Sequence, residues 1–299
     1  MSDFDPETRN AAIWSGDSRR IASGNAVGVV LEKLGRAEHE DLSEDEHVQM
    51  GHILEPLISR IFEQEHGVRL RHMDVALTSR QHPWLRSHFD YEAEDGSYLV
   101  ECKNYDANYA RQFSDPDEPV RIPLTDYAQC LHEAIVHGTN TVWLAVLFGG
   151  QRYREYRLDF TADDKDKWIK RLAEVWGNIQ TNTIPPATTP DQARDIWPQD
   201  DSHIIVASKQ AEFLCEKLAR YKAQHKENEK AIDAMQTEIM NFMGTRSSLV
   251  AVDGRTLATW KTAKTGSRFD VNLLKSSMPA IYDKFCVEQV GSRRFLVKS

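Results

Sequence analysis

The segment TVWLAVLF (141–148) constrains the fold more than any other stretch. It is apolar on both faces over a strand's length, and such a strand needs cover on both sides. Helix-period segments flank it. Residues 123–138 read as a helix ending at Gly138. Residues 161–180 read as another, after the alternating RYREYRLDF (152–160), which Gly149 and Gly150 turn back against 141–148. These elements predict helices layered on a sheet, a mixed α/β fold.

Upstream, RIASGNAVGVVLEKLG (20–35) opens with small residues and runs into an apolar helical stretch stopped at Gly35. Residues 43–66 begin with a capping-box-like Ser43-Glu44-Asp45-Glu46. Val48, Met50, Ile53, Leu54, Leu57, Ile58, Ile61 and Phe62 then recur near the helical period until Gly67. Segments 68–78, 85–92 and 97–103 have the length and alternation of strands, with a turn signal at Glu94-Asp95-Gly96. The predicted order is helix, three-strand meander, helix, two strands, helix.

Prolines and small polar residues break every period from 181 to 201. The expected division is a main domain at 1–190, a linker at 191–207, a long helix at 208–243 and a small basic α+β appendage at 244–299. The long helix carries a seam at Leu214, Leu218, Tyr221, His225, Asn228, Ile232, Met235, Ile239 and Phe242. That strict 4-3 spacing is a coiled-coil pattern with a polar middle, suited to an oligomerisation coil or to an intramolecular clamp. In the appendage a hairpin at Asp253-Gly254, a short helix and a terminal strand, RRFLVK, are expected.

The 299 residues are 40% apolar and 28% charged, which excludes disordered and fibrous classes. No window approaches the roughly 18 apolar residues of a membrane span, and MSDFDPETRN lacks the order of a signal peptide. A cytoplasmic protein is expected. Cys102, Cys130, Cys215 and Cys286 form no CxxC and read as reduced thiols. A net charge of -9 argues against non-specific coating of nucleic acid. Residues 254–299 nevertheless carry nine Lys/Arg against three acids, about +6, and are the best candidate for touching phosphate.

One constellation carries chemistry. Asp90 precedes a strand bearing Glu101-Cys102-Lys103, where alternation puts Glu101 and Lys103 on one face. Phosphodiester hydrolysis needs a divalent cation held by carboxylates and a cation or base near the attacking water. Asp90 and Glu101 can be metal ligands, with the backbone carbonyl of Cys102 as a third oxygen. Lys103 can orient and deprotonate the water or neutralise phosphate charge. By itself ExK also fits a sheet edge with two solvated charges.

The surrounding blocks GHILEPLISRIFEQEHG, HPWLRSHFDYEAEDGSYLVECKN and IPLTDYAQCLHEAIVHG resemble, in order and spacing, the YqaJ-type viral recombinases related to lambda exonuclease, within the PD-(D/E)XK nucleases. The resemblance covers roughly residues 15–190 and implies a restriction-endonuclease-like mixed sheet flanked by helices. Its site falls on Glu55, Asp90, Glu101, Lys103 and Gln129, with Glu55 reaching the metal through a water. It further implies one or two Mg²⁺ or Mn²⁺ ions and a 5′-phosphate pocket, for which Arg19, Arg20 and Ser23 are the matching residues. SGNAVG departs from the family's usual run there. Tyr127 is a candidate DNA contact or simple core packing. Asp90 is followed by Tyr91, and the Asp-Gly pair comes later at Asp95-Gly96, where it reads as the turn.

The activity so implied is a 5′→3′ exonuclease on double-stranded DNA ends. It would act as a homo-oligomer, a trimer by family likeness, and supply single strands to an annealing protein. A structure-specific or restriction-like endonuclease with the same metal site, or a non-catalytic DNA-end-binding module, remain alternatives.

Overall fold

The computed structural model describes residues 6–39, 44–287 and 291–298. The chain forms two compact units, Met1–Trp197 and Pro198–Ser299. The first unit contains, in order, α1 (Pro6–Asn10), β1 (Ile13–Trp14), α2 (Ser15–Ala22), α3 (Ala26–Lys33), α4 (Glu46–His66), β2 (Leu70–His72), β3 (Leu77–Thr78), β4 (Leu85–Ser87), β5 (Tyr91–Ala93) and β6 (Leu99–Tyr105). After these come α5 (Leu124–His137), β7 (Thr141–Phe148), β8 (Arg152–Asp159), α6 (Ala162–Gln180) and α7 (Pro190–Ile196).

The main sheet runs β2-β5-β6-β7-β8. The predicted buried strand, β7, lies inside it between β6 and the edge strand β8, parallel to the first and antiparallel to the second. The α5 crossover between β6 and β7 is what a parallel pair requires. Cover on both faces is also present. Ile58 and Phe62 of α4 pack on Val100, Cys102, Ala145 and Leu147. Leu131, Ala134 and Ile135 of α5 share the larger core with Leu99, Leu144 and Val146. Period-two alternation therefore assigns Glu101 and Lys103 to the α5 face.

The apolar helix read to stop at Gly35 is α3, which Asn25 starts by accepting from the Gly28 N–H at 3.1 Å, and Gly24, at φ 89°, parts it from α2. Three local readings are corrected. The cap of α4 is Asp45, which accepts from His47 N at 2.8 Å; Ser43 lies outside the described residues. The three-strand meander is interrupted. β4 joins a separate small sheet with β1 and β3, and the antiparallel trio that remains is β2-β5-β6. The chain changes sheets at residues 88–90, where Asp90 turns its carboxylate to the Cys102 N–H at 2.7 Å. The first unit extends to Trp197 rather than 190, because Gln192 of α7 is buried and donates to the Gly24 carbonyl at 2.9 Å.

The second unit contains α8 (Lys209–Met243), β9 (Ser248–Val250), β10 (Thr256–Thr259), α9 (Val271–Ser277) and α10 (Pro279–Lys284). Ser208 caps α8, and Gly254, at φ 84°, turns the β9–β10 hairpin. The expected terminal strand does not form, and 293–298 have no regular structure. The hairpin's sheet has only two strands, and a segment gains strand stability only from an edge that it can pair with. Among the described residues of this unit only Met243 is a buried hydrophobic.

Candidate active site

The site forms where β6, the residue before β5, and the α4, α2 and α5 helices converge. β6 supplies Glu101, Lys103 and Tyr105 at alternate positions. Lys103 Nζ donates to Glu101 Oε1, and Gln129 Nε2 of α5 donates to the same oxygen at 2.5 Å. Gln129 Nε2 also reaches Glu133 Oε1 at 2.9 Å, one turn further along α5. Its carbonyl oxygen accepts from Arg19 Nη1 at 2.9 Å. Arg19 in turn pairs with Asp126 Oδ1 at 2.5 Å, and the Tyr105 hydroxyl donates to that oxygen at 2.7 Å. One connected network thus runs from Lys103 to Arg19.

Helix α2 is fixed firmly enough to aim Arg19. Asp17 and Lys33 form a buried ion pair at 2.7 Å, and Asp17 also accepts from the Trp14 N–H at 2.9 Å. Ser18 meets His132 Nδ1 at 2.7 Å, while His132 Nε2 lies 3.0 Å from the Arg86 carbonyl. That carbonyl can only accept, so Nε2 carries the proton and Nδ1 accepts from the Ser18 hydroxyl. Burial holds His132 neutral and pulls its pKa down to about 4.

Carboxylates outnumber cations here. Desolvation, with the neighbouring Glu101 charge, raises Asp90 well above the usual range, and it does the same to Glu133. Glu55 of α4 is raised by desolvation and by Glu101, against the opposing pull of His72, whose Nε2 is 3.6 Å away. Burial alone would lower Lys103, but Glu101 and Asp90 override it and hold the ammonium protonated. Arg19 is raised in the same way by Tyr105 and Asp126.

An excess of buried negative charge is what a divalent cation would relieve. Among the described residues no three His, Cys, Asp or Glu side chains gather as a metal-holding group. Carboxylate and carbonyl oxygens are the donors a hard cation such as Mg²⁺ would take, with water and phosphate oxygens filling the rest of its shell. The β5–β6 ladder ends at Tyr91–Val100. Within a strand a residue's N–H and C=O point to the same side, so the Cys102 carbonyl faces Asp90 beyond the ladder's last rung.

Not every expected site residue joins this network. Arg20 forms a two-pronged pair with Glu32 of α3, at 2.6 and 2.5 Å, and Ser23 Oγ donates to the Arg20 carbonyl at 2.8 Å. Both lie at the α2–α3 corner; Arg20 sits about 100° around α2 from Arg19, off the face that carries Arg19 to Gln129. Tyr127 packs edge-on against Phe160, with ring centres 5.4 Å apart, and belongs to the core. Asp95 accepts from the Ser97 N–H at 3.0 Å and shapes the β5–β6 turn.

Sequence reasoning missed Tyr105, Asp126 and Glu133. The signal was present: Asp126, Gln129 and Glu133 recur at helical spacing on an otherwise apolar helix, and Tyr105 continues the Glu101, Lys103 alternation.

Comparison with known proteins agrees with the sequence resemblance. Residues 11–140 match the family model of the YqaJ-like viral recombinase domain, a span that contains every residue of the network. The uncharacterized protein YqaJ of Bacillus subtilis (strain 168) is 22% identical over 276 residues, covering 90% of this chain and 84% of that relative. Among solved structures, an alkaline exonuclease (LHK-Exo) from Laribacter hongkongensis aligns with a TM-score of 0.42 and 12% identity, over 59% of this chain and 93% of its own. A phage related exonuclease from Haemophilus somnus 129PT aligns with a TM-score of 0.46 and 10% identity, over 59% and 97%.

Proposed function

We propose, starting from the likeness of residues 11–140 to YqaJ-like viral recombinase domains, that this chain is a Mg²⁺-dependent DNA nuclease of phage-type recombination. By the same likeness it resects double-stranded ends 5′→3′ for strand annealing. The observation that carries the reading is the pairing of Asp90 and Glu101 beside a protonated Lys103, in a pocket with more carboxylates than cations.

Asp90, Glu101 and the Cys102 carbonyl would hold the metal, with Glu55 reaching it through a water. Mn²⁺ would substitute on the same oxygen donors, and the site would take one or two ions. The ion would polarise the scissile phosphate and make bound water a nucleophile at neutral pH. Gln129 fixes Glu101 in place. Lys103 keeps its proton next to Glu101, so its part is to offset the charge that grows on the phosphate. Arg19, held by Asp126 and Gln129, presents the cation for a neighbouring phosphate. Its planar fork suits that group better than a lysine would.

The test is digestion of end-labelled linear duplex with Mg²⁺ and with EDTA, in wild type and Lys103→Ala. Mg²⁺-dependent shortening of linear duplex, reduced at least ~10²-fold in the variant, supports the reading. Undiminished activity of Lys103→Ala overturns it. Equal cutting of closed circles would assign an endonuclease with the same site.

A further inference from the structure

The seam of α8 is exposed along almost its whole length. Leu214, Tyr221, Ile232, Met235, Ile239 and Phe242 are all large apolar side chains open to solvent, Phe242 at 80%. A seam of four heptads, Leu214 to Phe242, on a 35-residue helix calls for a partner helix, and the flanking charges state which one.

In heptad terms the a positions are Leu218, His225, Ile232 and Ile239, and the d positions are Leu214, Tyr221, Asn228, Met235 and Phe242. If the helix meets a second copy running in the opposite direction, each a residue faces a d residue of the other chain. One register then pairs Leu218 with Met235, Tyr221 with Ile232, Leu214 with Ile239 and His225 with Asn228. Every large apolar residue in these layers meets another, and the two polar residues meet each other rather than a hydrophobic. The two symmetry-related polar layers so formed lie side by side at the centre of the seam, and buried polar pairing of this kind is a device that sets register.

The same register decides the flanks. Lys222 comes opposite Glu229 of the second copy, and Lys217 opposite Glu238, each twice by symmetry, with no like-charged pair. A parallel in-register pair would instead set Lys217 against Lys222 twice and form no opposite-charged pair. Among the described residues Glu229 pairs with His225 of its own helix, at 3.3 Å. We infer that α8 is a homotypic docking surface, which joins two copies of this chain as an antiparallel coiled coil. The symmetry is that of an isologous, self-complementary contact.

The full-length protein tests this by two routes that do not depend on nuclease activity. In a background of Cys215→Ser and Cys286→Ser, which removes the exposed thiols, Leu218→Cys and Met235→Cys proteins are mixed and oxidised. The antiparallel register predicts a crosslinked dimer from the mixture and little from either protein alone. Crosslinking of Leu218→Cys with itself, or none in the mixture, overturns it. Sedimentation of Lys217→Glu/Lys222→Glu should show the assembled mass halved, and adding Glu229→Lys/Glu238→Lys should restore it. A mass that the double variant leaves unchanged, or that the fourfold variant leaves halved, also overturns the inference.

Discussion

The two units of this chain use apolar residues in opposite ways. In Met1–Trp197 they are consumed by cores on the two faces of one sheet: Phe62, Leu85, Leu99 and Leu144 are fully buried, the larger cluster joins α2, α3, α5 and α6 to the sheet, and the smaller one seats α4 on its other face. In Pro198–Ser299 only Met243 is buried among the described residues, while Ile204, Ile205, Val206 and Phe242 stand open. The difference teaches that apolar content alone does not make a core. The first unit alternates periods so that faces meet within it, whereas α8 concentrates its apolar residues on a stripe that no other described element of its own unit covers. Such a stripe is satisfied only by another helix.

Several experiments would break or sharpen that contrast. The largest effect belongs to the first unit's site. Besides the expected loss in Lys103→Ala, Glu101→Gln should reduce Mg²⁺-dependent DNA hydrolysis by about 10²-fold or more, because it removes a metal carboxylate and the Lys103 partner together. Near-wild-type turnover would place the chemistry elsewhere.

Next comes the core. Phe62→Ala should cost about 3–5 kcal/mol in denaturant unfolding, the usual range for emptying a buried ring. Phe242→Ala in the second unit should move unfolding of the first unit by less than about 0.5 kcal/mol, the ordinary size of a surface substitution. Equal effects would erase the contrast.

A third measurement uses pH. His132 is buried neutral, its pKa lowered from 6.5 to about 4, so the unfolded chain takes up a proton before the folded one does. The stability of the first unit should therefore fall as pH drops from about 6.5 towards 4, at up to about 1.4 kcal/mol per pH unit from this group. His132→Gln should flatten that slope in thermal melts.

The smallest effect separates two neighbouring arginines. Arg19→Ala should weaken DNA binding and turnover, whereas Arg20→Ala loses a part-buried ion pair with Glu32 that is not joined to the Lys103–Arg19 network, and should leave turnover within about twofold. Binding assays on the two variants check this, and equal losses would return Arg20 to the site.

Much of the first unit was legible in the sequence because its signals are local. The buried strand at 141–148, the α5 stop at Gly138, the β5–β6 turn and the α4 face at Ile58 and Phe62 each depend on a dozen residues or fewer. Asp90, Glu101, Lys103 and Gln129 were also found from motif and family resemblance, and the fold brings all four together.

What the sequence could not decide depends on where segments land. The meander survives only as β2-β5-β6, because strand propensity does not show that 85–92 breaks at 88–90, which sends β4 to β1 and β3 and leaves β5 between β2 and β6. Arg19 and Arg20 are adjacent and identical in type, and only the packing of α2 against α5 aims one at Gln129 and leaves the other on Glu32. Glu133 looked like one polar residue on a buried helix until Gln129 tied it to Glu101. The sequence by itself determined the periods, the turns and the identity of the acidic and basic groups, all properties of short stretches of chain. The tertiary structure decided which carboxylates share one desolvated pocket, because pairwise charge and burial arise only when distant segments meet.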